Sequence, residues 1–167
     1  MRFKLKMIPP TATAQQKGEK IIGNYIHHYK KKNVVKAEGI LRDALLSYVP
    51  EEPITGKPIL LSVRWMFPYP KSAKKHQPGV TMPKITRPDT DNLNKMLKDV
   101  MTDMGFWKDD ALIFAEMVTK VYSDEPGIEI MIFENPNNIK VMVAEVKDGQ
   151  GKAADPLRGS LALSDPE

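Results

Sequence analysis

The sequence predicts an α+β domain: a mixed β-sheet of about four strands with two main helices packed on it, in the order β-α-β-α-β-β. Two observations carry this. Several short runs place an apolar residue at every second position, the period of a half-buried strand. Two longer stretches repeat apolar residues at the 3.6-residue period of a helix with one buried stripe. Runs in this order suggest a mixed sheet with helices laid on it. With 167 residues, one domain is expected, with enough chain for a real core. The domain is expected over residues 1–135, and 136–167 is read as a C-terminal extension.

Phe3 to Ile8 alternates and reads as the first strand, stopped by Pro9-Pro10. A polar loop follows to Lys17. Residues 18–33 read as either a helix or a partly ordered arm, with Tyr25 and Tyr29 among basic residues that include Lys30, Lys31 and Lys32. Lysines interleaved with tyrosines suit phosphate contacts and base stacking. His27 and His28 make a poor metal site, because adjacent side chains diverge on a helix. Val34 to Val49 is the first helix, with Val35, Ile40, Leu41, Ala44, Leu45 and Tyr48 expected on its buried face. Pro58 to Phe67 is a strand, with Trp65 in the core. Leu112 to Tyr122 and Ile128 to Phe133 alternate around the turn Ser123–Gly127 and are expected to pair as a hairpin. Ile139 to Val146 reads as either strand or helix. Beyond about residue 147 the composition is that of a disordered tail.

Composition excludes several classes. There is no cysteine, hence no disulfide framework and no cysteine-based zinc site. No apolar run is long enough for a membrane span, and no signal-peptide core opens the chain, so a cytoplasmic protein is expected. Residues 124–167 hold nine acids and four bases, net −5; the whole chain is +4, so the rest carries +9. A basic body of this size points to a polyanion partner.

The chemistry gathers between Thr86 and Asp110. Leu93, Met96, Leu97, Val100, Met101 and Met104 form one apolar stripe, so a helix is expected over about 91–104, with Asp91 as its N-cap and Gly105 just past its end. Pro88 holds the preceding residue extended. On an extended segment Asp89 and Asp91 point to one side. Close carboxylates repel unless a proton or a metal ion intervenes. Hard cations such as Mg²⁺ take such oxygens together with substrate phosphate. Lys95 follows Asp91 by four residues and can stabilise charge on a metal-held phosphate; a plain Asp–Lys surface pair is the alternative. Asp109 is expected to face away from Asp110. The loop from Lys71 to Arg87 contains Lys71, Lys74, Lys75, Lys84 and Arg87 and no acid, and it runs directly into Asp89. Lysines there would draw in a nucleic-acid backbone.

Arg87-Pro-Asp-x-Asp-Asn-Leu-x-Lys95, then Asp99, then Gly105-Phe-Trp-x-Asp-Asp110 resembles the signature of the RusA endodeoxyribonucleases, Holliday-junction resolvases many of which are encoded by phages and prophages. The resemblance spans roughly 58–134. It implies catalytic, metal-binding carboxylates at Asp89, Asp91 and Asp110, a catalytic lysine at Lys95, and Mg²⁺ as cofactor, with Mn²⁺ able to substitute. Asp99, one turn on, is expected to orient Lys95 rather than bind metal. The resemblance also implies a homodimer that makes paired symmetric nicks in four-way DNA junctions during recombination and repair. Some members carry a basic residue directly before the first Asp, where this chain has Pro88. Two other readings stand beside it: a non-catalytic branched-DNA-binding protein with a structural carboxylate cluster, and a protein–protein adaptor.

Overall fold

The computed structural model describes residues 1–13, 17–71 and 78–135. These residues fall within one unit, Met1–Asn137. The extension expected from residue 136, and Lys74 and Lys75, lie outside the described residues.

The elements run β1 (Arg2–Leu5), β2 (Lys17–Ile22), β3 (Tyr25–Lys30), α1 (Lys32–Leu45), a 3₁₀ turn (Leu46–Tyr48), β4 (Ile59–Phe67), β5 (Met82–Pro83), α2 (Thr90–Asp103), a second 3₁₀ turn (Asp110–Leu112), β6 (Ile113–Tyr122) and β7 (Gly127–Glu134). Among the described residues they form a five-stranded sheet in the order β1-β7-β4-β6-β5 and a separate two-stranded sheet of β2 and β3. The α+β architecture with two helices and a mixed sheet is thus the one the sequence predicts.

Strand pairing differs from the expectation in one important respect. β6 and β7 follow each other in the chain but do not pair. β4 lies between them, parallel to β6 and antiparallel to β7. The reason is burial. Ile59, Leu61, Val63, Trp65, Met66 and Phe67 are all buried, so β4 loses most by sitting at an edge. The chain after β6 passes the end of β4, where the Ser123 amide bonds to the Phe67 carbonyl at 2.8 Å. Of residues 18–33, read as a helix or arm, those up to Lys30 instead form the β2–β3 hairpin around Gly23-Asn24, and Lys32 already opens α1. That dipeptide between β-branched and aromatic runs is a hairpin signal which outweighs the weak helical period.

The helices pack side by side, with α2 against β6. α1 buries Val34, Ala37, Leu41 and Leu45, while Val35 and Ile40, expected inside, are exposed. α2 buries Leu93, Met96, Leu97, Val100 and Met101, as its stripe predicts. Each fully buried side chain of this kind contributes roughly 1.5–3 kcal/mol relative to exposure. Gly105, at φ 84°, closes α2 in a conformation costly for other residues. Phe106 and Trp107 then enter the core, and the Trp107 indole donates to Thr102 Oγ1 at 2.7 Å.

Candidate active site

α2 begins one turn-position earlier than its sequence suggests. Asp89, not Asp91, is the N-cap; its backbone is extended (φ −76°, ψ 151°) and its carbonyl accepts from the Leu93 amide at 3.1 Å. The Asp89 carboxylate makes no capping hydrogen bond. Asp91 lies inside the first helical turn, so the two acids are not held on one extended segment. Both are exposed, at the end of α2 where the helix dipole favours negative charge.

Two lysines fix the approach to Asp89, and neither role was legible in the sequence. Lys84 is only 8% exposed. Its ammonium donates to the carbonyls of Thr86 and Arg87, at 3.2 and 2.7 Å, and to Thr86 Oγ1. It also sits over the rings of Phe67 and Tyr122, at 5.2 and 5.3 Å from their centroids. Lys120 of β6 donates to the carbonyls of Thr86 at 2.7 Å and Pro88 at 2.6 Å. The expectation that Lys84 reaches for DNA is therefore corrected: its charge is spent on the backbone of residues 86–87. Backbone pairing of β5 with β6 places Lys84 opposite Lys120, and that register brings the two together.

Along α2 the polar side meets β6. Buried Asn94 donates to Glu116, and Lys98 pairs with the same carboxylate. Asn94 Oδ1 is buried with no hydrogen-bond partner among the described residues. Lys95 Nζ stands 3.7 Å from Asp99 Oδ1, with the two side chains 62% and 46% exposed. Such a pair contributes a few tenths of a kcal/mol. It leaves the Lys95 ammonium accessible. Glu116 and Asn94 carried no signal in the sequence beyond being polar within otherwise apolar patterns.

Asp110 stands elsewhere. Asp109, exposed, caps the 3₁₀ turn by accepting from the Ala111 amide at 2.8 Å. Asp110 is exposed as the first residue of that turn. Trp107 bridges to Ile54 and Ile113 pairs with Ile59, so this end of the chain lies where β4 begins. Lys120, which holds Thr86 and Pro88, pairs instead with Trp65 near the end of β4. α2, 14 residues long, spans about 21 Å between these ends. Asp89 and Asp110 of one chain are thus separated by on the order of 20 Å. Among the described residues no three His, Cys, Asp or Glu side chains are close enough to hold a metal ion. The three-acid convergence expected from the sequence does not occur within one chain.

Five described acids are held in close ion pairs: Arg2–Glu129, Lys4–Glu125, Lys30–Glu38, Arg42–Asp103 and Lys57–Glu134 are paired at 2.6–3.0 Å. Asp89, Asp91 and Asp110 carry no such pair among the described residues. Exposed and unpaired carboxylate oxygens are the donor type that suits Mg²⁺. Of the basic residues expected to meet DNA, Lys71, Arg87, Lys31 and Lys32 are exposed, whereas Lys30 is held by Glu38. Among the described residues no helix is long and apolar enough to cross a membrane.

A family model described as Endodeoxyribonuclease RusA matches residues 7–133, a span that contains Asp89, Asp91, Lys95 and Asp110. The chain is similar to the crossover junction endodeoxyribonuclease rusA of Lactococcus phage r1t, 32% identical over 133 residues, which cover 79% of this chain and 95% of that protein. It is also similar to the protein YqaN of Bacillus subtilis (strain 168), 38% identical over 92 residues, covering 51% of this chain and 63% of YqaN.

Proposed function

Because this chain belongs to the endodeoxyribonuclease RusA family, we propose that it is a Mg²⁺-dependent endonuclease that resolves four-way DNA junctions by paired symmetric nicks. The observation that carries the reading is that Asp89, Asp91 and Asp110 lie inside the matched span of a basic domain, exposed and with no ion pair among the described residues. Asp89 and Asp91 lie close to each other at the start of α2, yet Asp110 is a helix length away. A second copy related by a two-fold axis resolves this: Asp89 and Asp91 face Asp110 of the partner subunit, and the dimer has two such sites. Two-fold symmetry also matches a junction, whose opposed strands are equivalent.

Mg²⁺, or Mn²⁺ in its place, would supply polarisation of the scissile phosphate and a more acidic water. The chain's own residues do the rest. Lys71 and Arg87 attract the DNA backbone beside the site. Lys84 and Lys120 hold residues 86–88 so that Asp89 is presented at a fixed place. Lys95 lies one turn beyond Asp91, where its ammonium can meet the negative charge that builds up on the phosphate. Asp99 restrains that lysine from the next turn.

The test uses a synthetic four-way junction with Mg²⁺. Asp89→Asn, Asp91→Asn and Asp110→Asn should each abolish nicking while leaving the fold intact. Mixing Asp89→Asn with Asp110→Asn should then restore activity. Each mixed dimer regains one intact site, so subunit exchange yields roughly a quarter of the wild-type sites. Full cleavage by the single variants sinks the assignment. Inactive variants that fail to rescue each other sink the shared site. Tight junction binding by a wild-type chain that makes no nicks would favour the non-catalytic reading instead.

A further inference from the structure

The β2–β3 hairpin has an exposed apolar tip that the catalytic reading does not use. Every residue of β3 is exposed. At the tip Ile21 pairs across the strands with Ile26, and Ile22 with Tyr25. These four are 73%, 61%, 53% and 76% exposed. They lie on both faces of the ribbon, since neighbouring cross-strand pairs alternate in side. Tyr29, also more than half exposed, lies further down the face that carries Ile22 and Tyr25. A bare two-stranded ribbon is marginal in water. Its apolar tip gains by being covered.

Charge identifies what covers it. Between Lys17 and Lys32 the chain has five lysines and one glutamate. Lys20 stands directly behind the tip, and Lys31 and Lys32 follow at the base, exposed. A second hairpin of the same charge, laid against this one, would bring like charges together. A polyanion with apolar faces suits both parts: phosphates for the lysines, base rings for the isoleucines and Tyr25. In continuous duplex those rings are stacked away. At a branch point the stack is interrupted, and apolar side chains can enter there. We propose that the β2–β3 tip is a wedge that occupies the unstacked bases of a DNA branch point, and that it sets the preference for branched over linear DNA. This rests on the junction-nuclease reading but concerns binding, which is separable from cleavage.

The experiment uses the full chain in EDTA, so that no nicking occurs. Fluorescence anisotropy measures Kd for a four-way junction and for a linear duplex of equal arm sequence, with 2-aminopurine at the branch in a parallel set. Ile22→Ser/Tyr25→Ser and Ile21→Ser/Ile26→Ser should each weaken junction binding roughly tenfold, change duplex binding by less than about twofold, and lose the 2-aminopurine signal. Tyr25→Phe should keep all three readouts. Lys31→Ser/Lys32→Ser should weaken both DNAs alike and lower the salt dependence. Thermal melts check that the tip variants fold. Unchanged junction affinity in folded tip variants overturns the wedge and leaves the nuclease reading standing. Equal losses on both DNAs, or a shift from dimer to monomer in sedimentation, also overturn it. A wild-type chain that binds no junction DNA removes both.

Discussion

Replacing Lys84 and Lys120 by methionine should cost more when both are changed than the two single costs added together. The two ammoniums donate to one acceptor, the Thr86 carbonyl, at 3.2 and 2.7 Å. Either single change leaves that carbonyl with the other donor. The double change leaves it with neither. Methionine keeps the apolar stem of Lys84 against Phe67 and Tyr122, so the cycle isolates the charges. An orphaned buried carbonyl costs about 1–3 kcal/mol. Thr86 is exposed, so water takes up part of the loss and the lower end, about 1 kcal/mol, is expected. Repulsion between the two ammoniums adds with the same sign, because either single change already relieves it. The desolvation of each charge enters the single and double variants equally and cancels. Urea unfolding of the four proteins reads the excess as a midpoint shift of roughly 0.5 M, given an m-value of about 2 kcal/mol/M. High salt should shrink the repulsive share and leave the rest. Additivity within about 0.3 kcal/mol would refute the shared brace. In the same proteins, junction nicking should fall further in the double variant than binding does.

Lys95→Ala should bind junctions within about twofold of wild type yet nick them on the order of a hundredfold more slowly in single-turnover assays; equal turnover would remove its role. Two glycines should respond with opposite signs. At Gly127 a Cβ would lie 2.6 Å from the Leu5 carbonyl oxygen, where β7 meets β1, so Gly127→Ala should destabilise by about 1–3 kcal/mol. At Gly39, inside α1 with open space around it, alanine should stabilise by about 0.5–1 kcal/mol in the same urea assay. The Glu125 carboxyl is held below its ordinary value by its hydrogen bond from Lys4, by the charge of Lys4 and, less, by Lys6. Its small stabilising share is present above the unfolded-state value and fades as pH falls through the folded one. An NMR titration should show Lys4→Gln raising the Glu125 pKa; no change would dismiss the contact.

Local patterns determined much of this protein without any structure. The stripe Leu93 to Met101 needs only the helical period to be read, and the alternation of Leu61, Val63, Trp65 and Phe67 marks β4 as a strand with a buried face. The carboxylates and Lys95 stand out because acids and a lysine cluster at the ends of one helix in a basic chain. Gly23-Asn24 is a local hairpin signal inside the stretch 18–33, which otherwise reads as either a helix or a partly ordered arm.

Long-range pairing was decided only by the tertiary structure. Adjacency in sequence favours a β6–β7 hairpin, but burying β4 on both sides favours placing it between them. That choice makes β4 and β6 parallel, sends α2 back across the sheet, and so puts Asp89 and Asp110 at opposite ends of the helix. Spacing along a chain cannot report this, because the six residues from Met104 to Asp109 fit either a return to the N-terminus of α2 or the departure into β6 that the Ile54–Trp107 bridge fixes. The brace of Lys84 and Lys120 has the same origin. A lysine in a basic loop and one in an alternating strand look solvated until sheet register sets them on one carbonyl, since hydrogen bonds depend on distance in space and not on separation in sequence.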